Sequence, residues 1–144
     1  MPEMTATVKY DEVEVGQELP ARTYKVERLD LVKYAGASGD FNPIHWNEPF
    51  AKSVGLPDVI AHGMFTMAQG GRYVTDWAGD PGAVIDYGVR FSSMVVVPNE
   101  GGTEIEITGV IEDKLDDNAV VVALTARSRG EKVLTRAKAT VRLA

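Results

Sequence analysis

Asp40 and His45 stand five positions apart in the run Ser38-Gly39-Asp40-Phe41-Asn42-Pro43-Ile44-His45. A carboxylate and an imidazole can exchange protons with a substrate, provided they are held still. Pro43 stiffens the backbone between them, and Asn42 can hydrogen-bond locally to hold the loop. Taken singly, these residues have plainer readings: Gly-Asp ends helices, Asn-Pro makes turns, and a histidine between Ile44 and Trp46 is usually a core residue. The combination points to acid/base chemistry. A second cluster, Ala61-His62-Gly63-Met64, follows. The first N–H groups of a helix lack intrahelical partners and carry the positive end of its dipole. The Gly63 N–H can therefore polarise a carbonyl oxygen that approaches where there is no side chain. The plainer reading there is a helix start, with His62 beside the cap.

A metal site is the competing use of Asp and His. Two histidines, no cysteine and no His-x-x-x-His spacing make that use unfavourable, and no metal is expected. A Gly-x-Ser-x-Gly elbow is absent as well.

The elements that must position these groups follow from the hydrophobic period. Arg22 to Arg28 alternates and predicts a first strand. From Leu29 the period becomes helical, with Leu31, Tyr34, Ala35 and Ser38 on one face and Asp30 in the first turn, and Gly36 and Gly39 stop this helix just before Asp40. Asn47 caps a short helix through Val54, ended by Gly55 and Pro57. The Asp40–His45 motif is thus a loop between two helices. Met64 to Ala78 predicts a longer helix, apolar nearly all round and hence interior. Gly70 and Gly71 in its middle each cost about 1 kcal/mol against Ala, which implies close approach of a backbone or a ligand chain.

After the break at Gly79-Asp80-Pro81-Gly82 everything reads as strand. Ile85, Tyr87, Val89 and Phe91 alternate with polar or small residues, as do Ile105 and Ile107. Ala119 to Thr125 is a continuous apolar run suited to a central strand, and Ala137, Ala139, Val141 and Leu143 alternate again. Residues 98–102, 116–118 and 129–131 are turns. One early strand, one interior helix and four late antiparallel strands describe a sheet wrapped around a helix, with open edges that dimerisation would finish.

At 144 residues, 44% hydrophobic, the chain reads as one domain over 1–144. A net charge of -6 argues against nucleic acid. No apolar run approaches the roughly 20 residues of a membrane span, and no leader pattern opens the chain, so a cytoplasmic location is expected. Residues 1–10 have no clear period and read as a frayed terminus. Six of the 15 basic residues, Arg127, Arg129, Lys132, Arg136, Lys138 and Arg142, lie near the C-terminus. A solvated strand face is the plainer reading, and a docking patch for an acidic partner the sharper one.

The octapeptide Ser38–His45 followed by Ala61-His62-Gly63-Met64 resembles the hydratase signature of the MaoC-like, (R)-specific enoyl hydratase/dehydratase family. The resemblance covers nearly the whole chain, including Gly79-Asp80-Pro81-Gly82-Ala83. Within that family the chain is similar to the catalytic beta subunit of mycobacterial-type (3R)-hydroxyacyl-ACP dehydratases of fatty acid and mycolic acid elongation. The resemblance implies an α+β hot-dog fold and a reversible elimination on an acyl thioester, carried by ACP or by CoA, with no cofactor. It implies that Asp40 and His45 are catalytic, that the Gly63 N–H holds the thioester oxygen, and that Asn42 orients the loop; His62 is a further supporting candidate. Gly70 and Gly71 become candidates for widening an acyl channel. The expected partner is a second hot-dog subunit, identical or different. Where some members carry a serine after the His-Gly pair, this chain reads Gln69-Gly70-Gly71. Two alternatives remain. A hot-dog thioesterase would place an acid on the central helix, and none lies between Met64 and Thr75; a non-catalytic acyl-binding subunit would have no need of Asp40 and His45.

Overall fold

A computed structural model describes residues 6–144. Five strands form one antiparallel sheet in the order β1-β3-β4-β5-β2, where β1 is Glu18–Val26, β2 Val84–Phe91, β3 Thr103–Lys114, β4 Ala119–Ser128 and β5 Glu131–Arg142. Three helices precede the last four strands: α1 Arg28–Ser38, α2 Glu48–Ser53 and α3 Gly63–Ala78. The sheet wraps α3, as the hot-dog expectation requires. The apolar run of β4 is central, paired on one side with β3 and on the other with β5. Its tight turns sit where expected, with positive φ at Asp117 and Asn118 and again at Arg129 and Gly130, the backbone that two-residue hairpins need.

Several boundaries differ from the sequence reading. The first strand begins at Glu18 and ends at Val26, because a bulge between Leu19 and Arg22 breaks its alternation. The carbonyl of Pro20, at that bulge, accepts the Tyr73 hydroxyl of α3 at 2.8 Å. Arg28 belongs to α1 rather than to the strand: Glu27 and Asp30 form a reciprocal capping box that starts the helix one residue earlier than the hydrophobic period does. Residues 6–10 are tied down rather than frayed. Thr7 N–H donates to Ala78 O at 2.8 Å, Tyr10 N–H to Ala144 O at 2.8 Å, and Ala144 N–H to Val8 O at 3.0 Å. The remainder of that stretch lies outside the described residues.

The central helix is buried on one face only. Phe65, Thr66, Gly70, Tyr73, Val74 and Ala78 face the sheet, while Met64 is 56% exposed and Ala68 and Arg72 are open. A single sheet can cover a single stripe of a helix, so the all-round apolar pattern is not all-round burial. In β2, bulges between Val84 and Asp86 and between Gly88 and Arg90 break the expected alternation and leave Ile85 and Phe91 about half exposed on an edge strand. The six C-terminal basic residues all lie exposed on β4, β5 and their turn, and Lys138 pairs with Glu112 at 2.9 Å.

Gly70 and Gly71 admit a side chain, not a channel. The phenol of Tyr87 lies over both, and a Cβ on Gly70 would overlap the Tyr87 hydroxyl. That hydroxyl donates to Met67 O at 2.7 Å, and burial pushes the phenol up to about 12. The candidate acyl channel at these glycines is thereby corrected: Tyr87 fills the space. Gly70→Ala should gain about 1 kcal/mol of helix propensity and lose about 1–3 kcal/mol to overpacking. A net loss is expected by denaturant unfolding. In a Tyr87→Phe background the same change should turn neutral or stabilising, and an unchanged sign would show that the hydroxyl is not the obstacle.

Candidate active site

The loop between α1 and α2 is built from side chains that each hold a backbone N–H two residues away. Gly39 closes α1 with φ 77°, a left-handed cap that a side chain would strain. Asp40 N–H then donates to Ser38 Oγ at 3.2 Å, Asn42 N–H to Asp40 Oδ1 at 3.1 Å, and Ile44 N–H to Asn42 Oδ1 at 3.2 Å. Asn42 thus joins two turns of the loop, accepting from Ile44 through Oδ1 and holding one oxygen of the Asp40 carboxylate through its N–H. Pro43 starts a 3₁₀ turn, Pro43–His45, with its fixed φ in a first position that needs no N–H donor. Trp46 Nε1–H returns to Phe41 O at 2.9 Å, and Asn47 caps α2 through Phe50 N–H.

The turn delivers His45 into the interior, 7% exposed, where its Nδ1 lies 2.7 Å from the carbonyl of Ile60. A carbonyl can only accept, so Nδ1 carries the proton and Nε2 presents a lone pair. That Nε2 lies 4.0 Å from Asp40 Oδ2. The gap is too long for a direct hydrogen bond and suits one oxygen in contact with both groups. Burial lowers the His45 pKa from its ordinary 6.5, and His62 lowers it further, against the raising effects of the Ile60 hydrogen bond and the Asp40 charge. At neutral pH His45 is a free base. The Asp40 side chain is 53% exposed.

His62 is 2% exposed and caps α3. Its Nε2 lies 3.1 Å from the main-chain oxygen of Asp40, and its ring stacks on His45 with centroids 3.8 Å apart and planes 22° from parallel. Gly63 is the first residue of α3, so its N–H has no acceptor within the helix. A cleft of about 470 Å³ is lined by His45, Gly63, Thr66, Phe91, Met94 and Val133 among others. Thus His45 and Gly63 share the cleft, whereas Asp40 is outside its lining and Gly70 and Gly71 lie elsewhere on the helix.

Asp40, His45 and His62 bring three potential ligand atoms within 4.8 Å of one another. Ring-nitrogen lone pairs lie in the ring planes, and two stacked rings send them side by side rather than to a common point. The Nε2–H of His62 is also committed to a carbonyl. The trio does not fit a metal.

Several contributors have no sequence signal of their own. Ile60 acts through its carbonyl, which any residue possesses. Phe91, Ser92, Ser93, Met94 and Val95 line the cleft from the end of β2 and the segment after it, where only the short apolar run at 94–97 hints at burial. The side chain of Arg28 donates to Val97 O and pairs with Asp58 at 2.6 Å and Glu48 at 3.2 Å, fastening α1 and α2 to that segment.

Comparison with known proteins places this geometry. A solved structure described as a MaoC-like dehydratase superposes with a TM-score of 0.94 at 45% identity, over 97% of this chain and 43% of the other. The 3-hydroxyacyl-thioester dehydratase X of Mycobacterium tuberculosis is 42% identical over 83 residues, 58% of this chain and 29% of that protein. The chain therefore spans less than half the length of either. An (R)-specific enoyl-CoA hydratase of Rhodospirillum rubrum is 26% identical over 134 residues, 92% of this chain and 89% of the relative. Residues 11–131, which contain the loop, both histidines and the helix that begins at Gly63, match the family described as MaoC like domain, and the chain belongs to it.

Proposed function

We propose that this protein interconverts (3R)-3-hydroxyacyl and trans-2-enoyl thioesters by adding or removing water. The observation that carries the reading is the free Nε2 of His45, 4.0 Å from the Asp40 carboxylate and in the same cleft as the N-terminus of α3. In dehydration, His45 Nε2 takes the proton from C2 of the acyl group. The electron pair moves to the thioester oxygen, which the Gly63 N–H holds as it becomes negative. The enolate then expels the C3 hydroxyl, which receives the proton from the His45 imidazolium and leaves as water beside Asp40. One proton moves from carbon to oxygen, and both side chains return to their starting states. Hydration runs the same steps backwards.

The names of the relatives support this substrate class and the (R) configuration. The carrier is a CoA or an acyl carrier protein, within fatty acid elongation. A second hot-dog unit, the same or different, pairs with this one at the open sheet edge, supported by the half-exposed Ile85 and Phe91 of β2. No helix among the described residues is long and apolar enough to cross a membrane, which fits a cytoplasmic setting. A thioesterase reading is disfavoured because the first acid on α3 is Asp76, at the far end from the cleft and 3.7 Å from both Arg22 and Arg72.

Hydration of crotonyl-CoA and a longer trans-2-enoyl-CoA, followed by absorbance and chiral analysis of the product, tests the reading. Asp40→Asn and His45→Ala should each lower kcat/KM by about 10²- to 10⁴-fold. Thioester hydrolysis without hydration, insensitive to both changes, would overturn it in favour of the thioesterase. Because the base form of His45 is the active one and its pKa is lowered, kcat/KM should hold at pH 7 and fall only below 6.5; the Asp40→Asn protein should titrate His45 lower still, since the carboxylate raises it. Gly63→Pro removes the N–H yet suits a first helical position, and His62, with φ -59° and ψ 138°, already has the backbone that precedes a proline. Gly63→Ala adds the same Cβ, 3.2 Å from the Phe91 ring, but keeps the N–H. The proline variant should fall about 10²- to 10³-fold below the alanine variant in kcat.

A further inference from the structure

His62 has more invested in it than a helix cap requires. It is a polar side chain only 2% exposed, its Nε2–H is spent on the main chain of the residue bearing the candidate acid, and its Nδ1 has no protein partner among the described residues. An unpaired buried acceptor costs about 1–3 kcal/mol, and such groups persist where something else depends on them. Two rings pack on this one, His45 stacked at 3.8 Å and Tyr34 of α1 edge-on at 4.7 Å, and Phe65 of α3 in turn packs edge-on against Tyr34 at 5.7 Å.

We propose that His62 is a positioning residue, an imidazole that clamps the Asp40 main chain through Nε2–H and braces the His45 ring by stacking, so that the two reacting groups keep one separation. The inference rests on the hydratase reading and deepens it. Asp40 is half exposed on a surface loop, and the hydrogen bonds to Ser38 and Asn42 set its local turn without tying it to the interior. The bond from His62 supplies that tie. His45 is fixed in its plane by Ile60, and the stacked ring blocks motion out of the plane. The groups facing His62 among the described residues are His45, Tyr34 and the Asp40 main chain, and the first turn of α3 contributes no acid.

Two variants separate the clamp from the brace. His62→Phe keeps a ring and loses the donor, while His62→Gln keeps a donor at the reach of Nε2 and loses the ring. Long-range ¹⁵N NMR of the wild type at pH 8, where imidazoles are neutral, should show the ring proton of His62 on Nε2 and that of His45 on Nδ1. In the hydration assay, His62→Phe should lower kcat about 10- to 100-fold with KM within about twofold, a split that general loss of fold would not give. His62→Gln should recover part of that kcat. In both variants the acid limb should move to higher pH, because His62 lowers the pKa of His45. An Nδ1–H tautomer of His62 at pH 8, or wild-type kcat and pH profile in both variants, would overturn the proposal. If the wild type shows the expected NMR signature but no hydration, the functional reading fails and the positioning role stands on its spectra.

Discussion

The hydrogen bond from His45 Nδ1–H to Ile60 O is the interaction through which the chemistry is joined to the fold. Ile60 also donates its own N–H to Ile44 O at 3.1 Å, so the turn that carries His45 is gripped at two adjacent points. On its other side, the segment is sewn to residues 95–97: Ala61 N–H meets Val95 O at 2.9 Å and Val97 N–H meets Val59 O at 2.9 Å. Val59, Val95 and Val97 are all buried. One short extended segment thus carries the turn on one edge, the far wall of the cleft on the other, and α3 directly from its end. The same bond decides the tautomer, and with it which nitrogen faces Asp40.

The surrounding framework restricts this seam from further away. The Arg28 guanidinium bridges the start of α1 to Glu48 at the start of α2, to Asp58 before the seam and to Val97 beyond it. Asp58 in turn accepts Val59 N–H at 2.8 Å. On the opposite side, Tyr73 presses α3 into the sheet where β3 has only Gly109, since a Cβ there would lie 3.1 Å from the phenol ring. The position of the helix N-terminus relative to His45 is therefore set by packing along the whole of α3, not by the loop alone.

Much of this was legible from the residues. The loop between two helices, the Asn47 cap, the helix starting at His62 or Gly63, the central β4 and the tight turns all follow from local chemistry: caps, left-handed positions and period. Where the reading failed, a non-local partner decided the outcome. Arg28 looks like the end of an alternating strand until its capping box and its ion pairs are seen. Gly70 and Gly71 look like room for a ligand, because nothing in their neighbours says that Tyr87 will arrive from β2 to occupy the space. The alternation of Ile85 to Phe91 is real in sequence but is interrupted by bulges that only pairing with β5 creates. Asp40 and His45 could be named from the sequence, but their 4.0 Å separation and the protonated nitrogen could not, since both depend on a carbonyl fifteen residues further on.

The cleft is assembled from two stretches of chain with different duties. On the proposed reading, the groups that handle a proton or a developing charge lie between Ser38 and Gly63, while Phe91 to Val95 and Val133 line the wall. Reaction and selectivity would then be written in separate passages of the gene. Point changes or segment exchange in the wall can retune what is accepted while leaving the reacting groups in place, so a lineage built on this arrangement can diversify its substrates without re-inventing its chemistry.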